Sequence, residues 1–354
     1  MNCSRRSLTL ALVLAHGCVN PGHDDASLAT TAQAQQTLNG ISLEELGFNS
    51  LMTNPDAMEL LLMRPLSDSV YLTGADPDAI YLRTQLRPEG ARRALSYLVS
   101  CALPAGQDVR WQDPDGPESD VAYGQLGLCP RWRTGEPDAM CKERVSACLL
   151  ARQNALGATV NISMRGAGYG FPTTTEQAAL PWREGAFFGD IFDPGALASG
   201  LSVEVLGESL VFQYRGVTET AHCEPAPTVG MSGCAEEASA RETFLGTSRY
   251  AGSVFGAMYA CSSPAWTDDV AYLHKRVCAG PNDEACLAQT VGPCCDHCAI
   301  DDDSPVGDGD YNACVGNGQL FEQVATVYLA DPCSLVPDAC DTVTQDHVVS
   351  SQCP

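Results

Sequence analysis

No stretch of the 354-residue chain is long and apolar enough to serve as a membrane-spanning helix. The run Ser7–Ala15 (SLTLALVLA) has nine residues, against the ~20 that a bilayer crossing needs. Positive charge is scarce: 20 Lys and Arg stand against 44 Asp and Glu, a formal net charge of −24, and none of the 20 lies between Val277 and Pro354. That last stretch carries 13 acidic residues. Such a surface repels phosphate backbones, which excludes nucleic acid as a partner and leaves cations or basic surfaces as the complementary ones. The motifs of several common chemistries are also missing. There is no Gly-x-Ser-x-Gly elbow (Gly230-Met231-Ser232-Gly233 falls short of it), no His-Glu-x-x-His and no phosphate-cradling glycine loop, which argues against elbow-type serine hydrolases, zincin-type proteases and nucleotide-binding enzymes of standard form. No internal repeat is evident.

Cysteine, by contrast, is abundant: there are 18. Setting aside Cys3 and Cys18 leaves an even number, as a disulfide framework requires, and cytosolic thiols are kept reduced, so the count points to an oxidising compartment. Connectivity is not readable from sequence, but short spacings suggest local staples joining Cys129 with Cys141, Cys223 with Cys234, and Cys333 with Cys340. Bridges of this kind typically contribute ~2–4 kcal/mol. Bridges that stabilise and do nothing else are the plain reading of the set.

The N-terminus agrees with export. Arg5 and Arg6 precede the apolar run, and Ala15-His16-Gly17 places small residues three and one before Cys18, the layout of a cleavable leader. Leu14-Ala15-His16-Gly17-Cys18 resembles a bacterial lipobox, in which the cysteine becomes the first mature residue and carries acyl chains. Residues 1–17 are then expected to be a signal peptide. The membrane partner is expected to be reached through lipid on Cys18, each buried CH₂ adding ~0.8 kcal/mol. Losing Arg5 and Arg6 takes the formal charge from −24 to −26. The expected location is the outer membrane or cell surface of a bacterium, or else the periplasm or medium.

Asn20–Gln36 is small, polar and aperiodic, so residues 18–40 read as a flexible tether. Residues 41–354 form the expected globular region, either whole or divided near 170–200. Two short amphipathic helices are expected over 41–63, broken at Asn54-Pro55. A third is expected over 88–102, with Pro88 in its first turn and Leu95, Leu98 and Val99 as its apolar stripe. The helix Asp138–Leu156 has Asp138 as N-cap and Gly157 as its stop, and puts Val145, Cys148, Leu149 and Arg152 on one face. The period then changes. Ala158–Met164 and Gln323–Leu329 read as strands, and Ser202–Val205 with Leu210–Tyr214 as a hairpin. The remainder, rich in Gly, Pro, Asn and Cys, reads as loops. The expected class is α+β, a helical N-terminal portion packed on an irregular, loop-rich, disulfide-stapled β portion.

Three segments, Cys101–Gln107 (CALPAGQ), Gly127–Trp132 (GLCPRW) and Val145–Asn154 (VSACLLARQN), together with Leu38–Leu43 (LNGISL), resemble those of a group of predicted bacterial lipoproteins that has no assigned activity. The resemblance is firm over 95–167 and looser towards the C-terminus. It departs at Cys129, where the relatives usually have Ala, and in carrying the Asn-Gly segment once. It implies lipidation and supplies no catalytic residue. Within the shared segments Cys101 ends one helix and Cys148 lies inside the next, so a bridge between them would pin the two together. Trp132 reads as a packed aromatic.

Several constellations carry chemistry on paper. Cys295-x-x-Cys298 with His297 between has the form of a thiol–disulfide oxidoreductase motif, but no strand clearly precedes it, Cys294 adjoins it, and an acidic loop follows. Zinc on these side chains would compete with disulfides. Asp301–Asn312 offers oxygens for calcium, through Asp301, Asp303, Asp308 and Asp310. The EF-hand pattern breaks at Ala313 and Gln319, so a looser site binding at ~10⁻⁴–10⁻³ M is the expectation. His222 is a candidate general base, and Glu204 with Glu208 a candidate carboxylate pair for sugar hydrolysis. The leading expectation is a non-enzymatic surface module that binds an unknown cell-surface ligand or protein, calcium-assisted. The alternative is a secreted hydrolase acting on polysaccharide or peptide.

Overall fold

The computed structural model describes residues 51–52, 55–66, 73–153, 159–166, 168–170, 172–193, 255–263, 276–279, 285–300 and 310–330, Gly40, and the backbone of 35–38, 201–206, 209–214, 217–222 and 252–253. Ala32–Pro354 forms one compact unit.

Helix α1 (Pro55–Leu62) begins at the expected break, where a proline lacking its N–H costs no hydrogen bond. Of the helix expected ahead of it only Leu51 and Met52 are among the described residues, and they form a turn. Helix α2 (Pro77–Gln85) was not expected from periodicity. It is set by Asp76, whose Oδ1 accepts from the Ala79 N–H at 3.0 Å, with Pro77 in the first turn. Helix α3 (Glu89–Ala102) buries Leu95, Leu98 and Val99. Pro88 occupies its N-cap rather than its first turn. The hairpin of β2 (Asp108–Gln112) and β3 (Ser119–Tyr123) leads back to the end of α3, where the next loop closes the helix. The N–H groups of Leu126, Leu128 and Cys129 donate to the carbonyls of Ser100, Cys101 and Ala102 at 2.8–3.0 Å. Four carbonyls at a helix end lack intrahelical partners, and this loop satisfies three of them. The proximity of the CALPAGQ and GLCPRW segments is therefore a helix-capping device.

Helix α4 (Ala139–Ala151) starts as expected, Asp138 Oδ1 accepting from the Cys141 N–H at 2.8 Å. It ends at Ala151 rather than Leu156. The Arg152 guanidinium turns inward, donates to Ser100 Oγ at 2.8 Å and lies 4.5 Å from the Tyr97 ring centre, and the Gln153 N–H closes a tight last turn on the Leu150 carbonyl.

Beyond α4 come β4 (Asn161–Arg165), the short α5 (Thr174–Ala179) and β5 (Trp182–Gly189). A three-stranded antiparallel meander follows, of β6 (Leu201–Leu206), β7 (Ser209–Tyr214) and β8 (Val217–His222). Its first two strands are the expected hairpin. Then come β9 (Gly252–Ser253), β10 (Met258–Ser262), β11 (Cys278–Ala279), β12 (Ala285–Cys286), β13 (Gln289–Pro293), β14 (Cys298–Ile300), β15 (Tyr311–Gly316), β16 (Gln319–Phe321) and β17 (Ala325–Leu329). With β1 (Gln35–Leu38), six of these make the principal sheet in the order β1-β4-β17-β5-β10-β13, antiparallel except for the β10–β13 pair.

The chain is thus α+β, and its β part is more regular than the loops expected from sequence. β5 shows why: all of its residues from Arg183 to Gly189 are buried, so no polar alternation marks it. The two faces of the sheet nevertheless divide cleanly. Phe187, Met258, Ala260, Val327 and Ile162 belong to a core shared with α1–α4, and the intervening Ala186, Phe188, Tyr259 and Cys261 belong to a second core with Cys294, Tyr311, Cys314 and Phe321. β5 and β10 lie so close that a Cβ on Gly185 would strike the Cys261 carbonyl oxygen.

Candidate functional site

A cavity of about 520 Å³ opens where α1, the start of α4 and the turn after β5 converge. Its floor is apolar. Met52 and Met58 come from α1 and the segment before it, Ile191 and Phe192 from the turn, and Phe255 from the segment before β10; all five are buried. Leu62 and Met63 extend the lining to the surface, where Met63 is 56% exposed. Polar groups sit at the mouth: Glu59 on α1, Glu136 ahead of α4, Lys142 in its first turn, and Asp193.

The turn is held firmly. The Ile191 N–H donates to Ser146 Oγ on α4 at 2.9 Å, and the Phe192 N–H to Asp190 Oδ1 at 2.9 Å. The Phe192 ring meets Trp132 edge-to-face, centroids 5.6 Å apart. Trp132 is therefore the packed aromatic expected, and it also buttresses the cavity wall. Burial raises the Asp190 carboxyl pKa, and Asp193 adds to the shift, against the Phe192 N–H and Lys142. Burial likewise raises Glu143 of α4, against N–H groups of Glu322 and Gln323 that donate to its carboxylate.

The volume is that of a small-molecule site, and an apolar body with a few polar groups at one end is the usual composition of such sites. Among the described lining residues there is no Ser, Thr, Cys, His or Tyr. Its ionisable side chains are Glu59, Glu136, Lys142 and Asp193.

Every cysteine among the described residues is in a disulfide. Cys101–Cys148 joins α3 to α4, and Cys129–Cys141 joins the capping loop to the start of α4, both as expected. Three further bridges, Cys261–Cys294, Cys278–Cys286 and Cys298–Cys314, knit the second half. Cys278 faces Cys286, and Cys298 faces Cys314, as register partners on paired strands. Cys295 and Cys298 are not bonded to each other: Cys298 is bridged to Cys314, and Cys295 is itself in a disulfide. The Cys-x-x-Cys spacing therefore carries no dithiol. Cys261 Sγ lies 3.5 Å from Cys298 Sγ, so two bridges pack sulfur on sulfur in the second core. Cys18, Cys223, Cys234, Cys333 and Cys340 lie outside the described residues, as do the side chains of Glu204, Glu208 and His222.

Of the calcium candidates, Asp301, Asp303 and Asp308 lie outside the described residues. Asp310 is buried just ahead of β15, hydrogen-bonded to Tyr328, whose hydroxyl pKa burial pushes far up. Arg165 and Arg183 neighbour that hydroxyl and bring positive charge to the same place.

No family model, curated protein or solved structure matches the chain. The cavity has to be read from its own chemistry. Sequence reasoning missed it because its lining comes from four separated segments. One signal was present: three of the eight methionines, Met52, Met58 and Met63, fall around α1, and methionine is a side chain that adapts to varied apolar surfaces.

Proposed function

We propose that the protein is an exported, lipid-anchored envelope module of α+β fold, a helical N-terminal portion packed on a disulfide-stapled β portion, that binds a small apolar molecule in the cavity beside α1. The observation that carries this reading is the cavity itself, about 520 Å³, floored by methionine and phenylalanine and without Ser, Thr, Cys, His or Tyr among its described lining residues. The export half of the reading is supported by the leader, the lipobox-like Leu14–Cys18, and the disulfides. The resemblance to predicted lipoproteins points the same way.

Titration with Nile red, an uncharged apolar dye, tests the cavity. One saturable site is expected, abolished by Leu62→Trp, which fills the mouth. Absence of saturable binding to folded protein sinks the reading. Intact mass of protein from the native membrane tests the anchor: an acylated Cys18 start is expected, and a Cys18→Ala version that stayed in the membrane fraction would refute it. Calcium would act through the Asp301–Asp310 segment. A rise in melting temperature on adding millimolar calcium is the expected sign.

A further inference from the structure

The mouth of the cavity is charged unevenly. Glu59, Glu136 and Asp193 line it with three carboxylates, and Lys142 is the only cation among the lining residues described. Glu59 and Glu136 are exposed as well as lining the cavity. The Lys142 ammonium acts on Asp190, just behind the mouth, as well as on the opening. A carboxylate head entering here would meet three carboxylates against one ammonium, within a chain whose formal net charge is −24. A cationic head would meet opposite charge while its hydrocarbon body passed to Met52, Met58, Phe192 and Phe255.

Resting on the cavity reading above, we propose that the ligand is a single-chain cationic amphiphile, an aliphatic amine or quaternary ammonium. Its tail lies on the methionine and phenylalanine floor. Its head stays at the carboxylate rim, partly hydrated, where opposite charges attract at modest strength and salt weakens them. The adaptable methionines accept tails of more than one length, so the head carries the selectivity and the tail most of the affinity.

The test uses the mature protein and three probes of one chain length, kept below micelle-forming concentration: dodecyltrimethylammonium, dodecanol and dodecanoate. Each is read by displacement of Nile red, with near-ultraviolet circular dichroism confirming that the protein stays folded. The ammonium is expected to bind about tenfold tighter than dodecanoate, with the alcohol between and with added salt narrowing the gap. Glu59→Gln with Glu136→Gln, both exposed and safe for folding, should reduce the ammonium's advantage several-fold and leave the alcohol unchanged. Tighter binding of dodecanoate would overturn the proposal, because Lys142 would then set the choice. Equal binding of all three would leave the cavity standing and overturn selection by charge. Displacement by none, with Nile red still bound, would overturn the amphiphile. Failure of Nile red itself would remove the cavity reading beneath it.

Discussion

The two faces of the principal sheet solve the same problem differently. One face carries α4, with α1–α3 packed into the same core, and that core is large and mainly aliphatic, Leu95, Leu98, Val99 and Leu149 among it, with three bridges set inside it. The other is covered by β14–β16 and the adjoining short helical turn, and its core is aromatic rings and sulfur, Phe188, Tyr259 and Phe321 around two touching bridges. Four helices sharing one core bring a large apolar surface to that side of the sheet. Three strands of three to six residues do not, and small units of this kind need covalent staples. The helical face carries bridges too, but they reinforce a core that is already large.

The sharpest way to break this comparison is through the sheet's buried charge. Glu184 and Arg276 pair at 2.8 Å with both side chains fully buried, the arginine also donating to the Ala151 carbonyl of α4. Removing one partner leaves a buried charge uncompensated, so Glu184→Ala should cost about 3–5 kcal/mol in urea unfolding. A cost below about 1 kcal/mol would show that the pair is not held dry. Next come the bridges. Replacing Cys101 and Cys148 by Ala opens a 47-residue loop and should cost about 4 kcal/mol, against about 3 kcal/mol for the 16-residue loop of Cys298 and Cys314. The faces should then separate in a double-mutant cycle. Phe188→Ala is expected to couple to loss of Cys298–Cys314 by about 0.5 kcal/mol or more, and Phe187→Ala to be additive with it. Equal coupling would mean that the two cores are one.

The smaller effects lie on α4. Asp138→Ala removes an N-cap and should cost about 1 kcal/mol. Asp190→Asn keeps the acceptor for the Phe192 N–H and removes the charge. Burial raises this carboxyl, so the folded state holds the proton more tightly than the unfolded one, and ionisation weakens the fold as pH rises through the interval between the two pKa values. The variant should therefore be the more stable at pH 7, and its advantage should vanish as pH falls below the ordinary carboxylate range. A variant less stable at pH 7 would mean that Lys142 outweighs burial.

The elements visible in the sequence are those whose cause is local. Helix α4 announces itself by Asp138 and by the phase that places Val145, Cys148 and Leu149 together; the same phase made Cys101–Cys148 readable. Helix α2 was missed because its signal is a cap and a proline, not a stripe. β10 (MYACS) is buried throughout, so it shows no alternation and reads as part of a loop. The Cys261–Cys294 bridge spans 33 residues and depends on β10 reaching the second core, which no spacing reveals. The cavity was hidden for the same reason: it exists only once distant segments are folded together.

The place of β17 in the sheet has a consequence for how the chain is made. It lies between β4 and β5 and pairs with both, yet it ends at Leu329, C-terminal to the five other strands of the principal sheet. Until β17 is made β4 and β5 each present an unpaired inner edge, and such edges invite pairing with other chains. The sheet is closed by its last-synthesised strand, so it cannot be completed progressively from the N-terminus. It must wait for its C-terminal portion, and the interval is its window of vulnerability to aggregation.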